Sequence, residues 1–244
     1  MAHPGINPPT AAMTSPVQTR WIDIDGAGGA YVALPPAGHG PGLLLMQEIF
    51  GVNEHIRAVA ESYALDGFTV LAPDVFWRQA PRVELGYVGD ERQRGIELAS
   101  GLQPPLVVAD LQAAVKALRG LPEVAGGKVG AIGYCLGGRL AYLAAALAGV
   151  DAAVAYYGGG IHGQLNLAAN IACPMQFHYA ERDDHIPPEA VQAVREAMAG
   201  KVAEVLVYPG SLHGFNCWAR ASYHAPSAAL AHGRSLAFLA AQLF

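Results

Sequence analysis

From Arg20 onward, short continuous apolar runs alternate with longer stretches in which apolar residues recur every three or four positions. GLLLMQE (42–48), FTVLAPDVF (68–76), KVGAIGYC (128–135) and AAVAYYG (152–158) are of the first kind, which belongs to strands buried on both faces. NEHIRAVAESYALDG (53–67) is of the second: Ile56, Val59, Ala60 and Tyr63 share one helical face, with Asn53 as N-cap and Gly67 as the stop. Helices are likewise predicted over LVVADLQAAVKALRGLP (106–122), LGGRLAYLAAALAG (136–149), PEAVQAVREAMAG (188–200) and SAALAHGRSLAFLAAQLF (227–244). WIDID and AYVALP form an opening strand pair, and MQFHYA and AEVLVYPG complete the strands, whereas Trp77–Gln103 reads as a polar insertion. Strand and helix in alternation predict an α/β fold with a mostly parallel sheet and helices on both faces. In such sheets chemistry gathers in the loops at the carboxyl ends of the strands.

No repeat or linker divides residues 20–244, which are expected to form one domain; the Pro-, Ala- and Thr-rich start, residues 1–19, reads as a flexible leader without the features of a secretory signal. Composition narrows the function classes. With 52% hydrophobic residues, 14% charged residues and a net charge of −5, the chain suits a compact globule and offers no phosphate-binding surface, so nucleic acid is not an expected partner. The longest apolar run, Leu140–Val150, is too short for a membrane span. Three cysteines without CxxC or framework spacing fit a reducing cytoplasm, and no His-x-x-x-His spacing suggests a metal.

One cysteine stands out. Gly133-Tyr134-Cys135-Leu136-Gly137 matches the G-x-nucleophile-x-G elbow at a strand-to-helix junction, where glycines two residues either side permit close chain approach. The helix N-terminus there favours a thiolate, which makes Cys135 a candidate nucleophile rather than a small core residue; Cys173 and Cys217 lack that setting. An elbow nucleophile calls for an acid and then a histidine later in the chain. Asp183, with Asp184 as the alternative, follows the strand MQFHYA, and His213 follows the last strand. His213 would serve as the base and the aspartate would orient its ring. His178, His185, His224 and His232 read as surface or strand residues.

These residues, with QEIFGVN (47–53), RQAP (78–81), DERQR (90–94) and GYCLGG (133–138), resemble the dienelactone hydrolase (carboxymethylenebutenolidase) family from Arg20 to Phe244. The resemblance implies an α/β-hydrolase fold and a Cys135, Asp183, His213 triad acting on a small ester or lactone; no cofactor is expected, and the sequence leaves a monomer and a homodimer both open. It further implies that Glu48 hydrogen-bonds the resting nucleophile, that the backbone N–H groups of Ile49 and Leu136 form the oxyanion hole, and that Arg94 binds the substrate carboxylate. The chain departs from the family pattern at Cys217, where a second carboxylate-binding arginine stands, and at Leu98, where a tyrosine stands; Arg220 or Arg78 are the available substitutes. The competing readings are an esterase or thioesterase for neutral substrates, or a non-catalytic thiol-redox or binding protein on the same scaffold.

Overall fold

A computed structural model describes residues 15–244; the leader expected at the N-terminus lies outside the described residues up to position 14. Eight strands form one sheet: β1 (Gln18–Ile24), β2 (Gly28–Leu34), β3 (Gly40–Met46), β4 (Thr69–Pro73), β5 (Val124–Tyr134), β6 (Ala152–Tyr156), β7 (Met175–Ala180) and β8 (Ala203–Tyr208). Their order is β1-β2-β4-β3-β5-β6-β7-β8. β1 and β2 pair antiparallel, β2 meets β4 antiparallel, and every later pairing is parallel. β3, β4, β6 and β7 are buried at every position, as continuous apolar runs require when both faces are covered.

Six α-helices flank the sheet: α1 (Glu54–Leu65), α2 (Gly89–Ser100), α3 (Pro104–Arg119), α4 (Leu136–Leu147), α5 (Pro188–Ala197) and α6 (Ala225–Leu243). α3 and α4 pack on one face, where Leu118 of α3 lies over Gly42. On the other face Leu239 and Leu243 of α6 cover Gly130, and α1 meets α6 where the Tyr63 and His232 rings lie 5.3 Å apart. The α1 start follows from its cap: Asn53 Oδ1 accepts the Ile56 N–H at 3.2 Å. None of the helices of the described residues is long and apolar enough to cross a membrane.

Two segments differ from expectation. The stretch read as a polar insertion contains α2; its apolar face is narrow, only Gly95 and Leu98 being buried, so its mean polarity hid the period. The stretch between β6 and β7 holds a 3-10 segment, Ile161–Asn170. His178 is in a strand and fully buried, its ring nitrogens bonded to Tyr208 (2.7 Å) and to Gln176 and Ser235 (2.8 and 2.9 Å). Burial holds its pKa down to about 3, so it stays neutral inside this network.

Backbone packs closely against backbone where β5 turns into α4. A Cβ on Gly133 would strike the Gly137 carbonyl, and one on Gly137 would strike the carbonyls of Met46 and Gln47 at the end of β3. Neither residue has a positive φ, so glycine is required there for space rather than for conformation. Gly233, by contrast, lies exposed in α6 with nothing near its missing Cβ. Gly137→Ala is therefore expected to destabilise the protein by about 1–3 kcal/mol through overpacking. Gly233→Ala should stabilise it by about 0.5–1 kcal/mol through helix propensity. Chemical denaturation of the two variants beside the wild type checks both signs.

Candidate active site

Parallel strands deliver their carboxyl ends to one edge of the sheet, and the chain after β3, β5, β7 and β8 brings Glu48, Cys135, Asp183 and His213 there. Cys135 occupies the single residue between β5 and α4 with φ 55° and ψ −113°, a conformation that costs a non-glycine residue on the order of 1–3 kcal/mol. The turn is held by its own backbone: the Cys135 N–H donates to Tyr156 on β6 at 3.0 Å, and its carbonyl accepts from Gly138 and Arg139 at 3.0 and 3.3 Å. Leu136 begins α4, so its N–H has no acceptor in a preceding turn. The side chain of Cys135 is half-buried and lines a cavity of about 360 Å³ together with Ile49, Leu136 and His213.

His213 Nδ1 lies 2.8 Å from Asp183 Oδ2, and both side chains are buried. Asp183 Oδ1 accepts the His185 N–H at 2.9 Å, so the carboxylate is held at both oxygens. Asp184, the other acid open from the sequence, points outward, 81% exposed. With Nδ1 on Asp183, the Nε2 edge of the ring is left for Cys135. Burial alone would lower the His213 pKa; hydrogen bonds to Asp183 and Cys135 outweigh it and push the group up to about 10. The ring is further fixed by the edge of Tyr157, 5.1 Å away between centroids.

Glu48 is 1% exposed, and its partner is Arg220, whose Nη1 donates to Oε1 at 3.0 Å. The expected hydrogen bond to Cys135 is not made: the guanidinium, brought in by the loop after β8, holds the carboxylate instead. Burial pushes the Glu48 carboxyl up and Arg220 opposes it. Gly214, next to His213, has φ 81°, and a Cβ there would collide with the Arg220 guanidinium. Cys217 is buried, with its thiol pushed up to about 12 by burial, and the neighbouring His55 is pushed down to about 4 by burial and by Arg220.

Three arginines line the cavity beside the nucleophile: Arg92, Arg139 and Arg220. Arg94, expected to bind a substrate carboxylate, does not line the cavity; it lies exposed and pairs with Glu97 at 3.4 Å. The helical phase explains this correction. Arg92, Ile96 and Ala99 stand at i, i+4 and i+7 on the face of α2 that walls the cavity, and two residues from Arg92 is more than half a turn away. Arg78 is held elsewhere by Asp110 at 2.7 Å, so of the two substitutes only Arg220 reaches the site. Arg92 and Arg139 were missed, although a signal existed: Arg139 follows Cys135 by four residues, one turn along the same side of α4. Leu98 is buried under α2 and does not line the cavity.

Comparison with known proteins gives this arrangement its relatives. The dienelactone hydrolase family model matches residues 29–243. The carboxymethylenebutenolidase of Pseudomonas putida is 38% identical over 215 residues, 87% of this chain and 90% of its own. Carboxymethylenebutenolidase 1 of Cupriavidus pinatubonensis is 33% identical over 87% of this chain and 91% of its own. A crystal structure from Klebsiella pneumoniae superposes with a TM-score of 0.81 at 31% identity, covering 92% of this chain and 98% of that one. With its parallel sheet, flanking helices and a match spanning nearly the whole chain, the protein belongs to the dienelactone hydrolase family and is a hydrolase of the ester and lactone class.

Proposed function

We propose that this hydrolase opens a lactone such as dienelactone, or cleaves a comparable small ester bearing a carboxylate, through a thioester on Cys135. The observation that carries the reading is the placement of His213 between Asp183 and the elbow cysteine. A raised His213 pKa favours the imidazolium, which suits a resting thiolate–imidazolium pair. The Cys135 sulfur attacks the carbonyl carbon, and the oxygen that becomes negative is received by the N–H groups of Ile49 and Leu136. Collapse expels the alkoxide or enolate oxygen, which takes the proton from His213 Nε2. Neutral His213 then removes a proton from water, the resulting hydroxide adds to the thioester, and the second collapse releases the acid and restores the thiolate.

The arginines supply the substrate preference. Arg220 is engaged by Glu48, whereas Arg92 and Arg139 make no ion pair among the described residues and face the same cavity. They take the role that the family pattern gives to the positions now held by Arg94 and Cys217. Ile49, Phe50, Ile96 and Ala99 give the cavity an apolar wall for the hydrocarbon part of the substrate.

Hydrolysis of dienelactone beside a panel of small neutral esters tests the reading, with Cys135→Ala expected to lose at least about 10⁴-fold in kcat. Residual turnover near wild type in that variant would remove Cys135 from the mechanism. Arg92→Ala and Arg139→Ala should each lower kcat/KM for the carboxylate substrate by roughly 10–100-fold, the worth of a charge-assisted hydrogen bond, while neutral esters change little. Arg94→Ala should stay within about twofold of wild type. Equal losses on charged and neutral substrates would refute the anion-binding assignment. The His213 shift also has a sign in stability. Its folded-state pKa, about 10, lies above the reference 6.5, so its contribution is complete below pH 6.5 and is lost as pH rises through 10. Melting temperatures across that window should show the wild type losing its advantage over His213→Gln as pH rises.

A further inference from the structure

Beside Glu48 lie two buried side chains, His55 and Cys217, to which the proposed hydrolytic cycle gives no part. Glu48, His55 and Cys217 are all buried, and one carboxylate oxygen, one ring nitrogen and the thiol sulfur lie within 4.8 Å of one another. They come from three separate places in the fold: the end of β3, the first turn of α1 and the loop after β8. Glu48 Oε2 has no hydrogen-bond partner, and neither ring nitrogen of His55 has one. Glu48 is 1% exposed and His55 4%, so water does not satisfy these atoms cheaply. A protein rarely buries three such atoms face to face without something between them.

We propose that Glu48, His55 and Cys217 form a binding site for a borderline-soft divalent cation of the zinc type. A carboxylate, an imidazole and a thiolate are a set that zinc or cobalt accepts, whereas calcium and magnesium require all-oxygen surroundings. Zinc bonds of about 2.0–2.3 Å place ligand atoms roughly 3.3–3.8 Å apart at a tetrahedral centre. The present separations therefore need about an ångström of side-chain closure. Binding displaces the Cys217 proton to solvent, and the two negative ligands then neutralise the cation. Arg220 bonds Oε1 and leaves Oε2 without a partner, so the carboxylate keeps an oxygen free to ligate.

The surroundings fit the role. The Tyr87 hydroxyl lies close to Cys217 and itself accepts from Asn53 Nδ2 at 3.0 Å, so a thiolate there would have a donor in reach. The Trp218 ring stands edge-on to His55 at 4.2 Å and fixes its orientation. An open cleft of about 470 Å³, lined by His55, Tyr87 and Trp218 among others, gives a route from solvent. Three protein ligands leave the fourth position of a tetrahedral centre for water.

The test is made on the Cys135→Ala protein, so that the nucleophile supplies no thiolate and the result is independent of the hydrolytic reading. Titration of the metal-stripped protein with Co²⁺ should produce a thiolate-to-cobalt charge-transfer band that saturates at one equivalent, and added Zn²⁺ should abolish it. Introducing Cys217→Ser should remove the band. His55→Gln, which keeps the thiol, should weaken Co²⁺ binding by more than the ~10–100-fold that an outer-shell partner contributes. Absence of the band in folded Cys135→Ala protein overturns the proposal. So does a band that survives Cys217→Ser, which would assign the thiolate to Cys173, or Co²⁺ binding of unchanged strength in His55→Gln.

Discussion

The contact between the first turn of α4 and the carbonyls that end β3 governs the active edge of this molecule. β3 and β5 are neighbours in register, with Met46 opposite Gly133, so both strands finish level. α4 then has to start directly over the end of β3, and Gly137 lets it do so with backbone against backbone. That approach puts Leu136, Ile49 and Cys135 on the wall of one cavity, at the carboxyl end of the sheet. A methyl group at either glycine would push the first turn of α4 off the end of β3 and shift Cys135 and Leu136 with it.

What could be read from the chain alone follows from how local each feature is. The buried strands, the Asn53 cap and the elbow around Cys135 are encoded within a few residues, and the pattern shows them directly. Asp183 and His213 lie 30 residues apart, but a known chain order links them to the nucleophile. The Arg220–Glu48 pair spans 172 residues and has no local trace, because it arises when the loop after β8 folds across the end of β3. The Glu48, His55 and Cys217 group is invisible for the same reason. Arg92 was hidden differently: without α2 there was no helical phase with which to distinguish it from Arg94 two residues later.

The charge of the cavity runs against that of the molecule. The chain carries a net −5, yet the described cavity gathers Arg92, Arg139 and Arg220 around Cys135, with the buried carboxylates nearby, Glu48 and Asp183, each already held by a partner, Arg220 and His213. At a distance such a protein repels an anion weakly and ambient salt screens the effect. Inside the cavity the local cations outweigh that distant charge, because their field acts at short range and in a lower dielectric. Arg220, three residues after Cys217 in the same loop, is the cation which that loop brings to the cavity.

The loop after β8 is anchored twice, and this shapes how it can move. His213 is tied to Asp183 after β7, and Arg220 is tied to Glu48 after β3. Lifting either end strands a buried charge without its partner, so partial opening costs nearly as much as complete release. Amide protons in this stretch therefore exchange with the core rather than with the surface, as part of one cooperative unit. The wall of the cavity formed by α2 has no such ties: only Gly95 and Leu98 of that helix are buried, and its Arg92 makes no ion pair among the described residues.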